Sequence, residues 1–237
     1  MIRYLFLLFV ITVAGAAIAQ PLERSYPFTI PQSDTAATGL LPTIKPAVPI
    51  SSRLTPLNGH FYRNAGTASQ ERVRLFGVDL LYSAAFPDRP HAQAMAKHLH
   101  KLGFNAVRLY YNDYNSGLCY TDANSSYNVN PGAFAILDSF IYEMKQQGIY
   151  VFFTLHSVHS FSTADGIIHA DSGFVPGQGW FKEFYNDRTA ELYRQWAKAF
   201  LGHMNPVTGM RLADDPAVAS IELNNQEYSL FLACRNT

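Results

Sequence analysis

The feature that most constrains the fold of this chain is a regular alternation of apolar, strand-like runs with amphipathic, helix-like segments. Two of the helix-like segments have Pro90 and Pro131 near their starts, and Gly103 and Gly148 at their ends, which is the usual punctuation of helices. Strands that alternate with such helices form a parallel sheet, so the sequence predicts an α/β fold. The predicted strands are RVRLFGVDL, NAVRLYY, IYVFFTLH and PAVASIELNN, and the predicted helices are HAQAMAKHLHKLG, GAFAILDSFIYEMKQQG and DRTAELYRQWAKAFLGHM.

Two parallel architectures fit this alternation, an open doubly wound sheet and a (β/α)8 barrel. The segment after the first predicted strand, GVDLLYSAAFPD, contains no G-x-G-x-x-G phosphate loop, which argues against a dinucleotide-binding sheet. Polar and aromatic residues follow every predicted strand, which is how barrel enzymes build a site. Because a barrel needs eight strands and four are visible, the sequence predicts an incomplete TIM-barrel type fold of about four βα units. The residues after the strands are Asp79 and Tyr82, Tyr110 to Asp113, His156, and Asn224 to Glu227.

The amino-acid composition indicates which kinds of binding partner this protein is suited to. Hydrophobic residues make up 48% of the chain, and its 18 basic residues balance its 18 acidic ones, so no basic surplus indicates nucleic acid. Aromatic residues make up 14%, and their flat apolar faces with polar edges suit sugars as well as protein cores.

The N-terminal residues MIRYLFLLFVITVAGAAIAQ have the features of a secretory signal peptide. Arg3 precedes an apolar run, and Ala17–Ala19 supplies an A-x-A cleavage site. Because the run is short for a bilayer span, we favour a cleaved signal peptide over residues 1–19 to an uncleaved anchor. We therefore expect a secreted protein, extracellular or periplasmic, with no membrane contact after cleavage.

A proline-rich, extended lead-in is predicted over residues 20–57, which hold seven of the 13 prolines. The barrel is expected over residues 58–237, and it begins with a short hairpin at Asn58-Gly59. Two cysteines, Cys119 and Cys234, either pair or remain separate buried thiols.

The order of motifs along the four strands resembles the N-terminal half of secreted glycoside hydrolases of family 5, within the clan that includes cellulases and mannanases. The resemblance implies hydrolysis of O-glycosidic bonds in a β-linked polysaccharide by a retaining mechanism, with no cofactor. The runs that carry it are GHFYRNAG, RVRLFGVDL, LHKLGFNAVRLYYND, GIYVFFTLH and NPVTGMRLADDPAVASIELNNQE, within roughly residues 58 to 231.

The same resemblance assigns roles to residues near the strand ends. Arg108 matches the strand-two arginine that orients the nucleophile, and His156 matches the strand-three histidine that contacts substrate. Asn225 matches the asparagine that binds the sugar 2-hydroxyl, and Glu227 matches the general acid/base. An arginine flanked by core residues also needs an anionic or carbonyl partner, which supports Arg108 independently.

The family's Asn-Glu pair is interrupted here by Gln226. In one alignment Gln226 occupies the acid position, and proton transfer is lost because an amide does not titrate. In the other, a bulge lets Glu227 reach the site, and the following YSL favours this alignment. A third interpretation makes Glu227 a first-turn acid of the next helix.

Aromatic residues after the strands are candidate sugar-stacking platforms, and metal binding is the weaker hypothesis. The spacing of His156, His159, His169 and Asp171 fits no strong zinc signature, so no metal is predicted. The candidate platforms are Tyr82, Tyr110, Tyr111, Tyr114 and Trp180.

The family's nucleophile ends strand seven, which is not among the four predicted strands. The chain by itself is therefore expected to be inactive as a hydrolase. The alternative is a non-catalytic carbohydrate-binding protein that keeps its aromatic platforms. Strands one and four are expected to be unpaired edges with a tendency to self-associate.

Overall fold

The computed structural model describes residues 46–110, 112–113, 117–120, 122–157, 159, 165–166 and 187–225. All of them lie in one compact unit, Gly39–Thr237. The predicted signal peptide and most of the predicted lead-in lie outside the described residues, and both stay predictions. Among the helices that are described, none combines the length and the apolar character needed to cross a bilayer.

The described strands and helices follow the predicted alternation. The helices are α1 (Arg89–Lys101), α2 (Pro131–Gln146) and α3 (Asp187–Gly202), with a 3-10 turn at Tyr82–Ala85. The strands are β1 (Thr55–Leu57), β2 (His60–Arg63), β3 (Glu71–Val73), β4 (Gly77–Leu81), β5 (Ala106–Tyr110), β6 (Cys119–Tyr120), β7 (Asn128–Val129), β8 (Tyr150–His156), β9 (Met204–Asn205), β10 (Met210–Arg211) and β11 (Val218–Asn224).

A parallel sheet with the order β4-β5-β8-β11 forms the centre of the unit. Each strand pairs in parallel with the next one along the sheet. The helices α1, α2 and α3 connect these strands in turn, which is the arrangement that parallel neighbours require. The α/β prediction is confirmed, and each of the four predicted strands contributes one strand to this sheet.

The two faces of the sheet differ in chemistry because strand side chains alternate. On one face, apolar side chains pack with the helices in a single core. On the other face, which we call the open face, several of the alternating positions carry polar and charged groups. The packed face is represented by Val107, Leu109, Val151, Phe153 and Leu155, and the open face by Asp79, Arg108, Thr154 and Glu222.

The first predicted strand, RVRLFGVDL, is divided in the structure, so its prediction as one strand is wrong. Its first part belongs to β3, which pairs antiparallel with β2, and its second part is β4 of the parallel sheet. The Asn105 side chain occupies the break. It accepts from the Phe76 amide at 2.7 Å and donates to the Arg74 carbonyl at 2.8 Å, so it takes the place of ladder partners.

Ordered structure begins upstream of residue 58. The predicted hairpin is present: β1 pairs antiparallel with β2, and the turn residues Asn58 and Gly59 have φ values of 50° and 75°. Strand β1 itself lies within the stretch assigned to the lead-in. Ile50 is buried, and its amide donates to the Lys145 carbonyl at the end of α2.

Two glycines with similar backbone angles provide a matched test of this packing. Gly148 has φ +73°, and a Cβ there would lie 2.9 Å from the Val48 carbonyl oxygen, whereas Gly59 has φ +75° and open space around it. Both Gly→Ala variants incur the left-handed strain of about 1–2 kcal/mol, and only Gly148→Ala adds a backbone clash. We expect Gly148→Ala to lower the free energy of unfolding, measured in urea, by clearly more than Gly59→Ala. Equal losses would contradict the packing of residues 46–50 against α2.

Candidate functional site

An ion-pair network crosses the open face of the sheet. Arg108 on β5 donates to Glu222 on β11 through Nη2 at 2.5 Å and Nε at 3.2 Å. Its Nη1 lies 3.5 Å from the Asp79 carboxylate on β4. The Arg108 side chain is 31% exposed, so it is less buried than the sequence suggested, but the anionic partner it needed is present.

Glu222 is the centre of this network, and the sequence analysis did not identify it. Besides Arg108, its carboxylate accepts from Thr154 Oγ1 at 2.6 Å and from Asn225 Nδ2 at 3.0 Å. Burial raises the pKa of Glu222, but the hydrogen bonds from Thr154, Arg108 and Asn225 outweigh burial and hold the pKa below its ordinary value. Glu222 is therefore ionised at neutral pH, and it is not suited to donate a proton.

A sequence signal for Glu222 did exist. It is a carboxylate within an apolar strand, just as Arg108 is a cation within an apolar strand. Two such charges on the same face of one sheet satisfy each other most readily by pairing. The register could not be read from the sequence, because the Arg108–Glu222 contact spans 114 positions of the chain.

Asn225 is fixed at the end of β11 by two contacts. Its backbone amide donates to the His156 carbonyl at 3.1 Å, and its Nδ2 donates to Glu222 Oε1. Because a carboxylate accepts but does not donate, this contact determines which way the amide points. Within the part of the chain that is described, Asn225 Oδ1 is buried and accepts no hydrogen bond. The site therefore presents a fixed acceptor suited to a hydroxyl donor.

Tyr110 and His156, both predicted substrate contacts, are buried. The guanidinium carbon of Arg108 lies 4.6 Å from the centre of the Tyr110 ring, so this ring packs against the ion-pair network. His156 Nδ1 lies 2.6 Å from the Tyr127 hydroxyl and 3.5 Å from the Asp113 carboxylate. Their contact with substrate stays a prediction.

A second network fixes the segments that follow β5 and β8. Asp113 accepts from the Ser157 hydroxyl at 2.6 Å and from its amide at 2.8 Å. His159 Nε2 lies 2.8 Å from Ser126 Oγ, and burial lowers the pKa of His159 to about 4, so this histidine is neutral at pH 7. These contacts connect the segment that follows β5 to the segment that follows β8. They thereby support the end of the sheet where Asn225 lies.

Cys119 is a buried free thiol whose pKa is raised by burial, which disfavours the reactive thiolate. Cys234 lies outside the described residues. Among the residues the structure describes, no group of three or more His, Cys, Asp or Glu side chains is placed to hold a metal ion.

The structure links the four described candidate residues through a few contacts. Arg108 and Asn225 share the Glu222 carboxylate, Tyr110 packs under Arg108, and the His156 backbone holds Asn225. The other predicted site residues lie outside the described residues, and their roles stay predictions. They are Tyr111, Trp180, Gln226 and Glu227. The candidate platform Tyr114 also lies outside the described residues, whereas Tyr82 is described and is 45% exposed.

A model of a protein family matches more than half of the chain. The model described as cellulase (glycosyl hydrolase family 5) matches residues 67–213. No curated protein matches the chain.

Solved structures of family 5 mannosidases and of β-1,4-mannanases are similar in fold to this chain. An endo-1,4-β-mannanase from Rhizomucor miehei has a TM-score of 0.55 and 16% identity, over 74% of this chain and 48% of that one. A family 5 mannosidase from the same organism has a TM-score of 0.55 and 17% identity, over 78% and 52%. An endo-β-1,4-mannanase from Thermotoga petrophila has a TM-score of 0.50 and 18% identity, over 65% and 35%. The chain thus spans about half the length of these structures or less.

The Glu222 network predicts a pH-dependent stability. Glu222→Gln keeps one oxygen that can accept from Arg108 but removes the negative charge of the pair, so we expect a loss on the order of 1 kcal/mol at pH 7 for this partly exposed pair. Because the folded-state pKa is lowered, the contribution is complete above the ordinary value of 4.5 and declines as the pH falls below it. Urea unfolding of wild type and variant at pH 7 and at several acidic pH values measures this.

The exposed Glu71 provides the control for that experiment. Its side chain is 62% exposed, and Glu71→Gln should change the free energy of unfolding only slightly at pH 7. A Glu222→Gln loss that stays constant down to pH 3 would show that the carboxylate charge does not act as described.

Proposed function

Because this chain belongs to glycosyl hydrolase family 5, we propose that it is a secreted glycoside hydrolase-like protein whose site cleaves O-glycosidic bonds of a β-linked polysaccharide with retention. The observation that carries the proposal is the shared carboxylate of Glu222, which holds Arg108 and Asn225 together on the open face of the sheet. In (β/α)8 enzymes, residues at the carboxyl ends of the strands form the site, and Asn225 directly follows β11.

Asn225 is proposed to bind the sugar 2-hydroxyl through Oδ1. The Nδ2 group is committed to Glu222, so the oxygen is the atom left to accept from a hydroxyl. Glu222 thereby acts as a positioning residue for Asn225. A hydrogen bond to the 2-hydroxyl strengthens as charge develops on the sugar ring, which makes a fixed acceptor useful for catalysis.

Arg108 is proposed to support the nucleophilic carboxylate. A guanidinium has five N–H donors, and the contacts to Glu222 and Asp79 engage one donor on each of its three nitrogens. The donors that remain on Nη1 and Nη2 are available to a further carboxylate that approaches the open face. Its charge-assisted hydrogen bonds would orient that carboxylate and keep it ionised.

Glu227 is proposed as the general acid/base. Retaining hydrolysis needs one carboxyl group that is protonated at the start of the cycle and a second that attacks, about 5–5.5 Å apart. Glu222 does not fit the first role because its hydrogen bonds hold it ionised. The assignment therefore falls to the residues after Asn225, where Gln226 cannot titrate and Glu227 can.

The substrate is proposed to be a β-1,4-linked polymer, with mannan the first to test because two structurally similar proteins are described as β-1,4-mannanases. His156, Tyr110, Tyr111 and Trp180 are the proposed sugar contacts. Association of copies through the edge strands β4 and β11 is a further proposal, supported by Leu223, which is 63% exposed on β11.

A polypeptide of residues 20–237 tests this assignment with two readouts. We expect no release of reducing ends from β-mannan or β-glucan, because the nucleophile that the family carries on strand seven is not among the four strands described. We expect retardation in gels that contain the polymer, and Asn225→Ala should weaken it roughly tenfold through the lost hydroxyl contact. Lys198→Ala, which removes an exposed cation on α3, is the control.

Each outcome has a distinct meaning. Retardation that depends on Asn225 supports the proposed sugar site. Turnover by this polypeptide would overturn the proposal that it is inactive. Retardation that is unchanged in Asn225→Ala would overturn the proposed role of Asn225 in sugar binding. Mannan binding by this polypeptide without turnover also fits the non-catalytic alternative, which turnover would overturn.

A further inference from the structure

A cavity of about 440 Å³ lies at the end of the sheet opposite the candidate site. Tyr150, which begins β8, lines the cavity, whereas His156, which ends β8, lies beside Asn225. At the rise of a β-strand, these two ends are about 20 Å apart. Asn105, which precedes β5, also lines the cavity. The cavity is therefore at the amino ends of the strands, away from the face where barrel enzymes place catalysis.

The charge of this cavity is unlike that of the chain as a whole. The described lining residues include four cations and one carboxylate, in a protein whose basic and acidic residues balance. The one carboxylate, Glu71, is engaged by Arg63 at 2.6 Å. The cations are Arg63, Arg72, Arg74 and Lys101.

Two of the lining groups have donors that the described protein does not use. The Arg74 guanidinium is exposed and takes part in no hydrogen bond or ion pair among the described residues. The Tyr150 hydroxyl is buried and has no hydrogen-bond partner there either. Buried polar groups in folded proteins are nearly always paired, so an orphan hydroxyl in a cavity wall indicates a missing partner.

The cationic groups of the cavity, guanidinium and ammonium, can donate hydrogen bonds but cannot accept them. Burial raises the pKa of the Tyr150 phenol, so this group keeps the proton that it would donate. A cavity lined by such donors is complementary to an oxyanion, whose several oxygens accept charge-assisted hydrogen bonds.

The remaining wall is mixed, with apolar residues beside the polar His100, Asn105 and Gln147, and the cavity is larger than an inorganic ion needs. Phe104 lines the cavity, and its ring is stacked on Phe76 with 4.6 Å between ring centres. The volume falls within the range of small-molecule sites. The lining thus fits a small molecule that carries an oxyanion on an apolar or ring-shaped body.

We propose that this cavity is a binding site for a phosphate- or carboxylate-bearing small molecule of the size of a charged sugar, held by Arg74, Tyr150 and the neighbouring cations. The site is separate from the proposed glycosidase site and does not depend on that function. The shared chemistry is the oxyanion, and its source, phosphate or carboxylate, is distinguished by the choice of probe.

Isothermal titration of the purified full chain at low ionic strength tests the proposal with four probes: inorganic phosphate, glucose 6-phosphate, glucuronate and glucose. We expect saturable binding of at least one anionic sugar, no binding of glucose, and affinity that falls as salt is added. Arg74→Ala and Tyr150→Phe should each weaken binding roughly tenfold or more. Lys198→Ala, an exposed cation away from the cavity, should leave binding unchanged.

Comparison of the affinities for the different probes identifies which oxyanion the cavity prefers. Tighter binding of glucose 6-phosphate than glucuronate identifies phosphate, and the reverse identifies carboxylate; both support the site. Absence of saturable binding by any anion would overturn it, and so would an equal loss in Arg74→Ala and Lys198→Ala. Because Arg74 is exposed, Arg74→Ala should keep the wild-type circular dichroism, so its binding result stands even if Tyr150→Phe is poorly folded.

Discussion

The ion pair between Arg108 and Glu222 is the interaction on which the arrangement of the open face depends. It joins β5 to β11 across β8, and Thr154 on β8 completes it with a third hydrogen bond. A partly buried charge pair is stable only when its remaining donors and acceptors are satisfied. Asn225 satisfies Glu222 on one side, and Asp79 lies beside Arg108 on the other. The groups that compensate for the desolvation of these charges lie on four strands, β4, β5, β8 and β11. Their contacts therefore also help to hold these strands in register.

The same fold separates two chemical environments. The apolar face of the sheet is covered by helices and forms one core, while the open face carries the charged network. Along the strand direction, the carboxyl ends carry Asn225 and His156, and the amino ends carry the basic cavity near Arg74. Because the parallel sheet aligns all strand ends of one kind, each end collects groups that are distant in sequence.

Much of this fold could be predicted from local pattern. Proline and glycine mark the helix ends, and the apolar runs correspond to the strands of the parallel sheet. The break between β3 and β4 could not be predicted, because it depends on the Asn105 side chain, about thirty positions away, which replaces ladder partners. The family resemblance was confirmed by the match over residues 67–213. Glu222 was missed because its importance comes from a register that only the folded sheet defines.

The most direct test of this account is the protonation of Glu222 itself. The ¹³Cδ chemical shift of Glu222, followed by NMR through a pH titration of the folded protein, reports its pKa without disturbing the network. The account predicts a titration midpoint below the ordinary value of 4.5, with a matching response of the Asn225 side-chain amide. A midpoint at or above that value would mean that Glu222 is not the ionised centre of the site, and it would return Glu222 to the list of possible proton donors.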